Sequence, residues 1–195
     1  MEAELRGRVL VVDVSPAAIA RVLGELEALG IDALGCTEPQ YAATRHDARV
    51  FDVIAFGRAT LGRLAYAQQE RFRQQDPTVR LVEAIGPLTV RQIAAALRSV
   101  DNVPRYVATL DVEPTKERGI LRADVVAACT LRLWLFRLTS GALTAETLAV
   151  VQAEPGIFTL PVPPDRMQDA YSFVAEANDD ELVHFPVLGG PPQPG

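Results

Sequence analysis

Six residues of this sequence stand at or near the ends of apolar runs, with side chains or a bare backbone suited to chemistry. Asp13 closes the run Arg8-Val-Leu-Val-Val-Asp13, and Ser15 follows it. Gly57, Arg58 and Thr60 follow the run Val50 to Phe56, and Glu83 lies within Val79 to Ile85. If these runs are strands of one open α/β sheet, the six sit beyond the C-terminal strand ends, where such sheets bind ligands. Asp13 and Glu83 would then be a carboxylate pair, Arg58 would hold an anion, and Ser15 and Thr60 would face the same pocket. The plainer reading gives Ser15 and Thr60 to helix caps and the acids to turns.

Other reactive sets are not written in the sequence. Its two cysteines, Cys36 and Cys129, are far apart, so a reducing, cytoplasmic compartment is expected rather than a disulfide scaffold. His46 and His184 are isolated, no Cys/His cluster has metal-ligand spacing, and no cofactor is implied. His184 and Asp180 flank a turn without an activated serine, so no hydrolytic triad is read. Net charge is −6 with no basic run, which argues against a nucleic-acid partner. Eighteen of the nineteen basic residues are arginine, and the one lysine is Lys116. The start MEAELRGRVL reads as neither a signal nor a transit peptide, and no apolar run reaches the ~20 residues of a membrane span.

The elements that position the six residues alternate strand and helix. The run from Arg8 reads as a strand covered on both faces. Ser15-Pro16 supplies an N-cap and a first-turn proline, Ile19, Val22, Leu23, Leu26 and Leu29 recur at helical spacing, and Gly30 ends the helix. A second strand runs from Ile31 to Gly35, and Thr37-Glu-Pro-Gln40 reads as a capping box opening a short helix. The third strand is Val50 to Phe56, and Thr60 caps a helix burying Leu61, Leu64, Ala65 and Phe72. The fourth strand is Val79 to Ile85, and Thr89-Val-Arg-Gln92 reads as a capping box for a helix burying Ile93, Ala94 and Leu97. The order βαβαβαβα implies a parallel sheet with helices on both faces.

Three segments of this half, "RVLVVDVSP", "FDVIAFG" and "GPLTVRQIAAALR", resemble the first strand and acidic turn, the third strand, and the last turn and helix of response-regulator receiver domains. The resemblance covers about residues 7–99 and implies a flavodoxin-like fold. It also implies what is missing. Receiver chemistry needs an acidic pair for magnesium, an acceptor aspartate and a lysine. Here Val14 follows Asp13, the acceptor position falls on Gly57, the lysine position falls on Gly86, and this half holds no lysine. Aspartyl phosphorylation is therefore not expected. A dinucleotide site is disfavoured as well, since Asp-Val-Ser-Pro stands where a glycine-rich turn would be.

After a linker at Ser99 to Pro104 the period changes. Strands are expected at Tyr106–Leu110, within Ala123–Leu138, at Gly156–Val162, Tyr171–Ala177 and Glu181–Phe185, with a hairpin turn at Asn178-Asp-Asp180. Residues 144–154 read as strand or as helix. Short strands between turns point to a small β-sandwich, and "EPGIFTLPVP" resembles an edge of immunoglobulin-like domains. The expected organisation is an α/β domain over 1–100, a β-rich domain over 101–188 and a disordered tail over 189–195. From Pro104 on there are 7 basic and 12 acidic residues, most of the net negative charge.

Two functions fit. The first is a non-enzymatic regulatory or scaffolding module with a protein partner or as a homodimer. Its docking faces would be Val90, Ile93 and Leu97 on the last helix, and Trp134 and Phe136 if their strand face is exposed. The second is a small enzyme or ligand binder using Asp13, Ser15, Arg58, Thr60 and Glu83.

Overall fold

A computed structural model describes residues 6–57, 60, 63–99, 104–114, 119–139, 142–167 and 170–187. Arg58, Leu61, Lys116, the middle of the expected linker and the tail 189–195 lie outside the described residues. The chain divides into two compact units, Met1–Asp101 and Asn102–Gly195.

The first unit is α/β. Strands β1 (Arg8–Val12), β2 (Asp32–Cys36), β3 (Val53–Phe56) and β4 (Arg80–Glu83) form one parallel sheet in the order β2-β1-β3-β4. Its main helices are α1 (Pro16–Ala28), α2 (Ala42–Arg45), α3 (Arg63–Gln75) and α4 (Thr89–Arg98). Side chains alternate across a strand, and that period sorts the core into two layers. Val9, Val11, Val53 and Ala55 pack with Ile19, Val22 and Leu26 of α1 and Ile93 of α4. Leu10, Val12, Ile54 and Phe56 pack with Ala42 and Ala43 of α2 and Ala65 and Phe72 of α3. Strands buried on both faces need apolar residues at every position, which is how Val9–Val12 of β1 and all of β3 read.

Local chemistry sets the ends of α1 as its sequence implies. Ser15 Oγ accepts the Ala18 N–H at 3.2 Å, with Pro16 opening the helix. Gly30 has φ 74°, its N–H bonds to Glu27 O, and the Ile31 N–H bonds to Leu26 O, the paired closure of a Schellman motif. The two expected capping boxes do not form. Pro39 opens a 3₁₀ turn (Pro39–Tyr41) with no side-chain cap, and Glu38 pairs with Arg45 instead. Helix α4 is entered through another 3₁₀ turn (Gly86–Leu88), so Thr89 already lies inside it and donates to Gly86 O at 3.0 Å. Gln92 does reach back, but to the end of β4: Oε1 accepts the Ile85 N–H at 2.8 Å and Nε2 donates to Glu83 O at 3.0 Å.

The second unit holds two antiparallel sheets. Strands β5 (Val107–Pro114), β6 (Gly119–Val125) and β9 (Gly156–Val162) form one, in the order β5-β6-β9. Strands β7 (Cys129–Thr139), β8 (Ala142–Ala153), β10 (Ala170–Ala177) and β11 (Glu181–Pro186) form the other, in the order β11-β10-β7-β8. Leu110, Leu121 and Ala123 of the first share one core with Leu131, Leu133, Leu135 and Phe173 of the second. The long apolar run from Ala123 is two strands, and residues 144–153 are strand, paired with β7 along its length. A short helix, α5 (Pro164–Met167), is additional to the expected elements. The expected hairpin turn is present: Asn178 and Asp179 have φ of 51° and 56°, and the Asp180 N–H bonds to Ala177 O at 3.0 Å. No helix among the described residues is long and apolar enough to cross a membrane.

Candidate functional site

At the C-terminal ends of β1 and β3, Asp13 stands against Gly57. Its backbone N–H continues the sheet to Cys36 O at 3.1 Å, and the chain then turns into α1. Within that turn Asp13 Oδ1 accepts the Ser15 N–H at 2.8 Å, which fixes the carboxylate. Asp13 is 7% exposed. On the neighbouring strand the Gly57 N–H bonds to Val12 O at 2.7 Å, drawing Gly57 against the same carboxylate. A Cβ built on Gly57 would lie 1.7 Å from Asp13 Oδ2 and 2.5 Å from its Cγ. The Asp13 carboxylate therefore fills the space that a side chain at position 57 would need. Thr60 is buried and its hydroxyl donates to Gly57 O at 2.6 Å, closing the turn after β3. That hydroxyl is a donor within the turn after β3, and α3 is described from Arg63.

The expected carboxylate pair is not drawn together by the contacts described. Glu83 stands in register with Phe56 and so faces α3, where Gln69 Nε2 donates to Glu83 Oε1 at 3.4 Å. The Asp13 carboxylate accepts the Ser15 N–H and packs on Gly57, and β3 separates β1 from β4. Arg58 lies outside the described residues. Of the docking candidates, Ile93 of α4 is fully buried and Phe136 is 1% exposed, so neither offers surface. Phe136 and Trp134 would dock a partner only if the strand face they share were exposed. A face whose central strand β10 buries Ser172, Val174 and Glu176 has no such exposure at Phe136. Val90, Leu97 and Trp134 are half-buried.

Three groups escape reading from the sequence. In the first unit, Gln68 and Gln75 of α3 bind the backbone of the segment around α2. Gln68 accepts from Ala43 N and donates to Gln40 O, at 3.0 and 3.1 Å. Gln75 accepts from Ala48 N and donates to Ala43 O, at 2.8 and 2.6 Å. In the second unit, buried Glu176 accepts from Arg132 Nη1 and Trp134 Nε1, each at 3.2 Å, with the Arg132 guanidinium 5.7 Å from the indole centroid. There too, Glu181 accepts the N–H groups of Arg105, Tyr106 and Val107, at 2.9, 2.9 and 3.3 Å, and so anchors the start of β5. A polar residue inside an apolar run signals Glu176, whereas Gln68, Gln75 and Glu181 stand in polar stretches and carry no such signal; the partner depends on register.

A cleft of about 340 Å³ lies at the other end of the first unit's sheet, where β3 and β4 begin. Arg49, Asp52, Asp76, Thr78 and Arg80 are among the residues that line it. Its acids are held by the chain: Asp52 Oδ2 accepts the Arg8 N–H, and Asp76 Oδ1 accepts from the N–H and hydroxyl of Thr78, which lower its pKa. Among the described residues no group of three or more His, Cys, Asp or Glu is placed to hold a metal ion.

No protein-family model matches the chain, and no curated protein matches it. Solved structures similar to parts of it include a superoxide reductase from Giardia intestinalis, 14% identical, covering 42% of this chain and 96% of that one at a TM-score of 0.28. Another superoxide reductase, in the oxidized state, is 12% identical and covers 46% of this chain and 91% of that one at 0.30. A protein from Agrobacterium tumefaciens is 9% identical and covers 100% of this chain and 99% of that one at 0.34. Likenesses of this size carry no argument about site or activity.

Proposed function

We propose that this chain is a non-enzymatic regulatory or scaffolding module, built on a receiver-like domain that cannot be phosphorylated. The single observation that carries the reading is the packing of the Asp13 carboxylate on Gly57. Aspartyl phosphorylation needs a carboxylate at the end of the third strand with room in front of it. Here that position has no side chain, and the neighbouring acid occupies the space and is bound to Ser15. The strand order β2-β1-β3-β4 supports the receiver-like, flavodoxin-like reading, since it is the first part of that fold's order. The second unit fits a small β-sandwich, with two sheets over one core. Fold does not give function, so the reading rests on the site.

The test is incubation of the purified protein with acetyl phosphate and magnesium, followed by intact-mass measurement. An unchanged mass is expected. A phosphoryl adduct lost on mild base treatment, as an acyl phosphate would be, would sink the reading.

A further inference from the structure

The edge strands of the second unit differ in how they meet a would-be partner strand. Strand β5 carries Asp111, Glu113 and Pro114, β9 carries Pro161 and β11 ends in Pro186. Proline removes a ladder donor and charge resists pairing, so these edges are protected. Strands β5 and β11 also pack against each other, joined by the Glu181 contacts. The flank formed by β8 and β9 is different. Only Ala153 on β8 and Val162 on β9 are buried, while Leu148, Val151, Phe158 and Leu160 pack on the core only in part. Val150 is 55% exposed on the outer face. Strand β8 has no proline, and its one charged residue, Glu146, is paired with Arg137 and Arg166.

We propose that β8 is a pairing edge for a second copy of this chain, which adds antiparallel and joins the two four-stranded sheets. The inference rests on the interaction-module reading and names its partner and surface. A strand edge is complemented by another strand, and neutrality with self-complementary register favours an identical one. A bulge at Leu148, between the Leu133–Ala149 and Trp134–Thr147 pairs, limits the regular run to Ala149–Ala153. In an antiparallel ladder, opposed residues share a face. Pairing centred on Val151 sets that residue against its own copy on the core side, extending both cores across the seam. It sets Val150 against Gln152 on the outer face and opposes no charges. The run is about 17 Å long at ~3.4 Å per residue, a small interface, so a Kd on the order of micromolar is expected.

Light scattering on a sizing column, with the full-length protein at about 100 μM, tests this, since that concentration exceeds the expected Kd. The wild type is expected to run as a dimer. Val151→Lys, which sets a lysine against its own copy, and the double variant Val150→Lys/Gln152→Lys, which sets lysines opposite each other on the exposed face should the first not fold, are expected to run as monomers with unchanged circular dichroism. A monomeric wild type, a folded variant that stays dimeric, or a stable complex with a different protein instead would each overturn the inference. None of these outcomes bears on the acetyl phosphate test, so this proposal and the reading beneath it fail separately.

Discussion

Replacing Gly57 with alanine probes the packing on which the functional reading stands. Gly57 does not take a positive φ, so alanine suits its backbone and the effect is steric. The new Cβ would meet Asp13 Oδ2 at 1.7 Å, Cγ at 2.5 Å and Cβ at 2.8 Å, all well inside the ~3.5 Å of a relaxed carbon contact. Asp13 must turn away, which breaks its 2.8 Å bond from the Ser15 N–H. Hydrogen bonds to charged groups contribute about 1.5–3 kcal/mol. Removing a glycine also stiffens the unfolded chain and returns roughly 0.4–1 kcal/mol. The expected net loss is about 1–2 kcal/mol, or a urea midpoint lower by about 1 M. Asp13→Gly deletes all three obstructing atoms, so adding Gly57→Ala to it is expected to cost nothing or to stabilise slightly. The coupling between the two sites should then be about 2 kcal/mol, far outside the ~0.5 kcal/mol error of additivity. Helical circular dichroism follows the first unit, and the single tryptophan, Trp134, reports the second as an internal reference. A Gly57→Ala protein as stable as the wild type, or strictly additive effects, would refute the packing argument.

Other expectations can be checked in the same preparations. Gln68→Ala leaves the Ala43 N–H and Gln40 carbonyl without their partner and should destabilise the first unit by about 1–3 kcal/mol in urea melts. Glu181→Ala should raise hydrogen exchange at Arg105, Tyr106 and Val107, whose N–H groups it accepts; unchanged protection there would show that Glu181 is dispensable. The pKa of His46 is lowered from 6.5, first by burial and then by the charge of Arg45. The unfolded state then binds more protons, so this residue's contribution to stability falls as pH drops through 6.5, and His46→Gln should flatten that part of the profile. Cys36 and Cys129 are both buried, and burial raises the pKa of Cys129. Ellman's reagent should therefore label both thiols only after denaturation, and fast labelling of the native protein would contradict their burial.

Much of the architecture is legible in the chain because it is encoded locally. Ser15-Pro16 and Gly30 fix the ends of α1 through backbone dihedrals and hydrogen bonds within a few residues. Gly156–Val162 is a strand over the span its sequence implies, and Asn178 and Asp179 take the left-handed conformations that a tight hairpin demands. Alternating apolar runs likewise announce a parallel sheet followed by antiparallel ones.

What the chain does not show by itself is which distant group covers a given side chain. Residues 144–154 contain good helix formers, yet this segment is an edge strand, because pairing along β7 outweighs a propensity of a few tenths of a kcal/mol per residue. The same register buries Phe136 and sets Glu176 opposite Arg132. Thr89 and Gln92 carry the letters of a capping box, but a 3₁₀ turn shifts the helix start and sends Gln92 to the end of β4. Asp13 and Gly57 come from different strands, and only the parallel pairing of β1 with β3 brings the carboxylate onto the glycine. Sequence determines dihedral preference and hydrophobic period. Strand register and crossover geometry, which no local stretch contains, decide whether a polar residue becomes a site, a clamp or a plug.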